Sequence, residues 1–115
     1  MNRGAVGASG ESLVAGWYSA RGWDVVARNW ALVGVGELDV VAVRGGLVAV
    51  CEVKARSTAA FGSPASAVGP AKQRRLRRTA MAWLAGPGSS LRWSELRFDV
   101  AAVVGDHVEV IEGAF

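Results

Sequence analysis

Residues 36–54 read Gly-Glu-Leu-Asp-Val-Val-Ala-Val-Arg-Gly-Gly-Leu-Val-Ala-Val-Cys-Glu-Val-Lys, and this stretch decides the fold. Two Val-rich runs flank Gly45-Gly46, a pair suited to the positive φ angles of a tight two-residue turn. Because both runs are apolar at odd and even positions alike, they predict two central antiparallel strands covered on both faces. Two pairs of charges interrupt the runs, Glu37 with Asp39 and Glu52 with Lys54. Burying a charge in such a strand is costly unless a partner or metal compensates it, so the four charges need an explanation.

The rest of the chain predicts two helices and three further strands. Ser9 caps the first helix, Gly22 ends it, and a strand over 23–33 follows. After the hairpin, residues 72–85 form the second helix, for which Pro70 is a suitable first residue. A strand within 91–104 and a strand over 107–111 come last. Strands grouped between helices indicate an α/β sandwich on a mixed sheet. The crossover through the second helix allows one parallel pairing. A long Ser-, Ala-, Gly- and Pro-rich loop is expected over 55–70.

Composition limits the class of protein. The 115 residues predict a flexible segment 1–8 and a single domain 9–115, and 51% hydrophobic with 20% charged residues is typical of a globular chain. No stretch approaches the roughly 20 apolar residues needed to cross a bilayer, and residues 1–8 lack the apolar centre of a signal peptide. Cys51 is the single cysteine, which predicts a reducing compartment and, with one His, excludes a soft zinc site. We therefore expect a cytoplasmic protein with no membrane contact.

The basic residues permit a polyanionic partner without demanding one. The net charge is +3, the pI is near 9.8, and 11 of the 13 basic residues are Arg, which suits bidentate phosphate contact. Genomic base composition would equally explain the excess of Arg over Lys. Five of the 13 basic residues crowd the first half of the second helix, where they either follow a nucleic-acid backbone or form a solvated face. The candidate nucleic-acid-binding residues are Arg56, Lys72, Arg74, Arg75, Arg77 and Arg78.

The four charges of the hairpin have a chemical interpretation. Residues two apart share one face of a strand, so Glu52 lies with Lys54 and Glu37 with Asp39. If the register brings Asp39 near Glu52, two hard carboxylate ligands, a backbone carbonyl and water can seat Mg²⁺ or Mn²⁺. Such an ion, with Lys54 beside it, fits phosphodiester hydrolysis. The alternative is a Glu52–Lys54 ion pair at a strand end, with both other acids solvated.

The pattern Gly36-Glu37-Leu38-Asp39 followed by Glu52-Val53-Lys54 resembles the PD-(D/E)XK nuclease superfamily, which includes restriction endonucleases and Holliday junction resolvases. More closely, the chain resembles the YraN-like bacterial family of uncharacterised, predicted endonucleases. The resemblance covers almost the whole chain. Its other motifs are Gly10-Glu11, Gly22, Arg28-Asn29, the run from Cys51 to Arg56, Lys72, Arg97-Phe98-Asp99-Val100 and Ala114-Phe115. The superfamily's proline is absent, since Leu38 precedes Asp39.

The resemblance implies a restriction endonuclease-like three-layer sandwich with about five strands in a mixed sheet. It implies that Asp39 and Glu52 bind Mg²⁺ or Mn²⁺ and that Lys54 is catalytic. Glu11 of the first helix and the Val53 carbonyl would complete the metal site, with Glu37 in a supporting role.

The implied activity is metal-dependent cleavage of DNA, with branched or recombination intermediates among the candidate substrates. A homodimer is allowed, because related resolvases act as dimers. The alternatives are a catalytically silent nucleic-acid-binding module and a protein-interaction module with the same fold.

Overall fold

The computed structural model describes the backbone of residues 3–56 and 68–115 and the side chains of residues 10–56 and 68–115. The elements are α1 (Arg3–Ser19), β1 (Asp24–Leu32), β2 (Gly36–Arg44), β3 (Leu47–Arg56), α2 (Pro70–Ala85), β4 (Glu95–Val104) and β5 (His107–Ile111). The predicted order of helices and strands is confirmed. Neither helix in the described part of the chain is long and apolar enough to cross a bilayer.

The largest difference from the predicted bounds concerns α1, which begins at Arg3 and not after Ser9. Nothing in residues 3–8 stops a helix, because the segment is made of small residues and contains no proline. The division into a flexible segment 1–8 and a domain 9–115 stays a prediction. The strand β3 continues to Arg56, two residues into the loop predicted over 55–70, and residues 57–67 of that prediction lie outside the described residues.

The sheet has the order β1-β2-β3-β4-β5. The β2–β3 hairpin is antiparallel, as predicted, and its turn residue Gly45 has a φ of 60°. The β3–β4 pair is parallel because α2 carries the chain across the sheet between them, whereas β1–β2 and β4–β5 are antiparallel. The mixed sheet expected from the sequence is therefore confirmed.

Each face of the sheet carries one helix. On one face, Val14 and Tyr18 of α1 pack with Val40, Cys51 and Ala101. On the other face, α2 contributes a buried apolar stripe that packs on β2, β3 and β4. This stripe comprises Leu76, Ala80, Trp83 and Leu84. The two cores explain why the hairpin is apolar at odd and even positions alike, and they confirm the α/β fold class.

A buried carboxylate connects α1 to the middle of the sheet. Asp99 of β4 is fully buried and receives two hydrogen bonds from Arg97, the nearer at 2.8 Å. The Tyr18 hydroxyl donates to the same carboxylate at 2.5 Å, and the Gly113 N–H donates at 2.9 Å. Burial raises the pKa of Tyr18, so the phenol stays a donor. Because Tyr18 lies two helical turns from Glu11, this bond helps to set where α1 presents Glu11.

Substituting Tyr18→Phe should lower the free energy of unfolding by about 1–2 kcal/mol, because Asp99 loses a buried donor. Urea unfolding measures the difference. The exposed neighbour Ser19→Ala is the control and should stay within about 0.5 kcal/mol of wild type. A Tyr18→Phe variant as stable as wild type would show that this hydrogen bond contributes nothing net.

Candidate functional site

The regular geometry of β2 is interrupted at Asp39. Leu38 and Val41 pack in the core beneath α2, whereas Val40 packs in the core beneath α1. Strict alternation would put Leu38 and Val40 on the same face, so the strand departs from it between Leu38 and Val41. The β2–β3 pairing ends at the same point, with Val40 opposite Cys51. This irregularity lets Asp39 leave the plane of the sheet.

The carboxylate of Asp39 takes over the hydrogen bond that regular pairing would have supplied. Its Oδ2 accepts from the backbone N–H of Val53 at 2.8 Å. On the other side of β2, Arg28 and Trp30 pair with Val40 and Leu38, so Asn29 lies at the level of Asp39. Asn29 has a φ of 52°, a left-handed conformation that Asn tolerates better than most residues. The strands β1 and β2 are thus both irregular at the level of Asp39.

Three carboxylates converge at this end of β2. One oxygen from each of Glu11, Glu37 and Asp39 lies within 4.8 Å of the other two. Glu11 comes from α1, and Glu37 and Asp39 come from one side of β2, as the two-residue spacing predicts. Glu37, which the sequence indicated as a supporting residue, belongs to this group, and Glu52 does not. We refer to these three residues as the acidic group.

The environment of Asp39 opposes its ionisation. Burial raises its pKa, the charge of Glu52 raises it further, and Glu11 and Glu37 add to this, so that the Val53 hydrogen bond only partly offsets the rise. The resulting pKa is about 7. Because the charge of Glu52 raises the pKa of Asp39, Glu52 must lie near Asp39, although it does not belong to the acidic group. A cation placed among these oxygens would relieve the repulsion.

Glu52 is neutralised by two lysines. Its side chain is 9% exposed, and Oε1 lies 2.6 Å from Lys72 Nζ of α2 and 3.7 Å from Lys54 Nζ. The ion pair that the sequence offered as an alternative therefore exists, but Lys72 is the nearer partner. Burial and the neighbouring Lys72 lower the pKa of Lys54. Burial alone would lower the pKa of Lys72, yet hydrogen bonding to Glu52 and Lys54 raises it.

A cleft of about 240 Å³ joins these groups. Its walls are formed by the start of β2, by β3 and by the first turns of α2. The lining residues are Gly36, Glu37, Asp39, Glu52, Lys72, Arg75, Leu76 and Thr79. The helix approaches closely because Gly36 has no side chain, since a Cβ there would lie 2.7 Å from Thr79 Oγ1. The cleft therefore has carboxylates on one side and cations from α2 on the other.

The candidate nucleic-acid-binding residues divide among several places. Arg75 lines the cleft, and it also lines a second, more exterior cleft with Ala71, Arg74 and Arg78. Arg77 instead lies over the rings of Phe98 and Phe115, at 5.0 and 5.5 Å from their centroids. Arg56 is half-buried at the last position of β3.

The other predicted residues occupy these positions. The Val53 side chain packs against the α1-side core, and its carbonyl stays a predicted metal ligand. The contact between Lys72 and Glu52 was not predicted. The only local signal for it is a lysine in the first turn of a helix that returns across the sheet.

The substitution Asp39→Asn should stabilise the metal-free protein at neutral and higher pH. Because the pKa of Asp39 is 3.8 in the unfolded reference and about 7 in the folded chain, the unfolded chain releases the proton first. The contribution of Asp39 to the free energy of unfolding is therefore full below pH 3.8 and is lost as the pH rises through 7. Asn removes the charge and still accepts from Val53, so near pH 8 the gain should be about 2–4 kcal/mol.

Urea unfolding in the presence of a chelator, at pH values from 4 to 8, measures this effect. The difference between variant and wild type should shrink toward zero near pH 4. A difference that does not change with pH, or a variant less stable than wild type near pH 8, would contradict the proposed environment of Asp39.

The chain is similar to a set of bacterial proteins. Residues 10–103 match the uncharacterised protein family UPF0102. A UPF0102 protein of Rhodococcus jostii is 40% identical over 96% of both chains. Relatives of the same description from Mycolicibacterium vanbaalenii and Myxococcus xanthus are 47% and 44% identical, over 89% and 95% of this chain and 82% and 87% of their own. The resemblance expected from the motifs is confirmed, and the chain belongs to the uncharacterised protein family UPF0102.

Proposed function

We propose that this chain is a Mg²⁺- or Mn²⁺-dependent endonuclease that hydrolyses phosphodiester bonds in DNA. The observation that carries the proposal is the composition of one cleft. Glu37 and Asp39 of the acidic group line it together with Glu52, Lys72 and Arg75. A phosphodiester needs positive charge on its oxygens and a carboxylate-held cation beside them, and both kinds of group are present within this small volume.

The acidic group fits a hard divalent cation. Carboxylate oxygens are the ligands that Mg²⁺ and Mn²⁺ prefer, and three of them come within 4.8 Å of one another from two elements. Burial and repulsion from the neighbouring carboxylates raise the pKa of Asp39, and a cation bound among these oxygens would relieve that repulsion. In this proposal Glu11, Glu37 and Asp39 hold the ion, and Glu52 is a further ligand. The ion supplies Lewis acidity toward the phosphoryl oxygens and lowers the pKa of water.

The side chains of β3 and α2 supply the remaining functions. Lys54 is half-buried at the end of β3, where its three N–H donors can stabilise negative charge that develops on a phosphoryl oxygen. Arg75 offers a planar fork suited to two oxygens of one phosphate. Glu52 holds Lys54 and Lys72 at this end of the sheet through its Oε1 atom.

A path for the nucleic-acid backbone leads away from the cleft. Arg75 lines both the cleft and the more exterior one, which also contains Arg74 and Arg78. Successive phosphates of one strand could contact these residues in turn, and such binding would weaken with salt. Branched DNA and recombination intermediates are candidate substrates, and a homodimer and a cytoplasmic location remain part of the proposal.

Cleavage assays test the activity. Single-stranded, duplex and branched DNA are incubated with Mg²⁺ or Mn²⁺ and wild type, Asp39→Asn or Lys54→Met. We expect cleavage by wild type that a chelator abolishes, and a loss of about 100-fold or more in each variant, because each loses a metal ligand or the oxyanion-stabilising cation.

The matched control is Glu95→Gln. It removes an exposed carboxylate from the other end of the sheet, where Glu95 pairs with Leu47, and it should cleave like wild type. Activity that survives both Asp39→Asn and Lys54→Met would contradict the assigned roles. Absence of metal-dependent cleavage on every substrate would contradict the activity itself.

A second candidate function is nucleic-acid binding without cleavage. The exterior cleft favours it, because its cations Arg74, Arg75 and Arg78 extend beyond the acidic group. In that case binding would be sensitive to salt, lost when these arginines are neutralised, and indifferent to Asp39→Asn. Measuring DNA affinity for the same variants separates this function from catalysis.

A further inference from the structure

Lys72 occupies a position that neither a simple ion pair nor a generic basic helix explains. It lies in the first turn of α2, and its Nζ is the nearest cation to Glu52, at 2.6 Å compared with 3.7 Å for Lys54. Its side chain is 34% exposed and lines the cleft, whereas the Glu52 side chain is 9% exposed. An accessible, flexible cation is thus paired with a nearly inaccessible carboxylate.

This pairing opposes the use of Glu52 as a metal ligand. The carboxylates of Glu11, Glu37 and Asp39 are close enough to share one ion, and Glu52 is not in this set. Its charge nevertheless reaches Asp39, whose pKa it raises. Both lysine contacts are made by Oε1, but the Lys72 ammonium also repels a metal cation that approaches either oxygen of the same carboxylate. Lys72 and the metal therefore compete for Glu52.

We propose that Lys72 couples phosphate binding to metal binding: in the free protein it is held by Glu52, and on substrate binding it moves to the phosphate and releases Glu52 to the metal. This inference rests on the proposed function and adds a role for a residue outside the acid-x-Lys motif. Lys72 is in this account a substrate-binding residue that also positions Glu52.

The surroundings of Lys72 fit an incoming phosphate. Arg75 follows one turn later and lines the same cleft, so two cations of α2 face the space beside the carboxylates. The helix begins at Pro70, which places the positive end of its dipole near Lys72. A lysine is suited to the exchange because its ammonium is a compact charge on a flexible stem, and it can move between Glu52 and a phosphate by rotating that stem.

The coupling has a direction that can be measured. If phosphate draws Lys72 from Glu52, phosphate raises the affinity for the metal, and by linkage the metal raises the affinity for phosphate. The free protein would then bind the ion weakly and complete its site only beside a phosphodiester. Removing the Lys72 ammonium should abolish the coupling and strengthen metal binding in the absence of any anion.

Calorimetric titration with Mn²⁺ alone tests the first consequence. Lys72→Met should bind Mn²⁺ about tenfold more tightly than wild type, which is the factor expected for removing one charge-assisted hydrogen bond to Glu52. The control Arg92→Gln removes an exposed positive charge outside the lining of both clefts, and should change the affinity by less than about twofold because solvent screens it. Asp39→Asn should lose the binding and so identifies the site that is titrated.

A second titration contains sulfate as a phosphate analogue that cannot be hydrolysed, with ionic strength held constant by chloride. Sulfate should tighten Mn²⁺ binding by wild type by about fivefold and leave Lys72→Met unchanged. Lys72→Gln serves as a second variant, and thermal unfolding verifies that each variant is folded.

Equal or weaker Mn²⁺ binding by both Lys72 variants, with Asp39-dependent binding intact, would overturn the coupling and leave the proposed function standing. Sulfate-induced tightening that persists in both Lys72 variants would overturn it as well. No Mn²⁺ binding by wild type, with or without sulfate, would remove the metal site and this inference together.

Discussion

The cost of holding carboxylates together at one end of an apolar sheet is the constraint around which this structure is arranged. Desolvation and mutual repulsion raise the pKa of Asp39 to about 7, so the folded chain is less stable with that group ionised. The Val53 N–H, Lys54 and Lys72 each compensate part of the charge. Among the described residues, no ion pair involves Glu11, Glu37 or Asp39, and a divalent ion would supply the positive charge that these three carboxylates need.

The fold supplies that arrangement from both faces of the sheet. α1 carries Glu11, and its position is set by the core around Val14 and by the Tyr18–Asp99 hydrogen bond. α2 carries Lys72 and Arg75, and it comes close to β2 because Gly36 leaves room for Thr79. At the irregularity of β2, the Asp39 carboxylate lies close to Glu11 of α1 and also lines the cleft beside α2. Each of these features lies in a different element, which explains why the site needs the whole domain.

Sequence patterns predicted the scaffold well because local periodicity determines it. The Gly45-Gly46 turn and the bounds of α2 and β5 follow from residues that are neighbours in the chain. The start of α1 was missed because small residues neither favour nor forbid a helix strongly enough to mark its first turn.

The site was predicted less completely, because side chains from distant segments decide it. The two-residue spacing placed Glu37 beside Asp39. It could not show that the side chains of β2 depart from strict alternation between Leu38 and Val41. The grouping of Glu37 with Glu11, and the greater proximity of Lys72 to Glu52, depend on how α1 and α2 are positioned over the sheet. No local pattern contains that information.

We propose that the acidic group is a divalent-cation site. The most direct measurement is paramagnetic broadening of backbone amide signals by substoichiometric Mn²⁺ in the ¹⁵N-labelled protein. Signals of Glu11, Glu37 and Asp39 should broaden first, those of Asp24 and Glu95 at the other end of the sheet should persist, and Asp39→Asn should abolish the pattern. Broadening spread evenly over the acidic residues of the chain, or none near Asp39, would contradict the account.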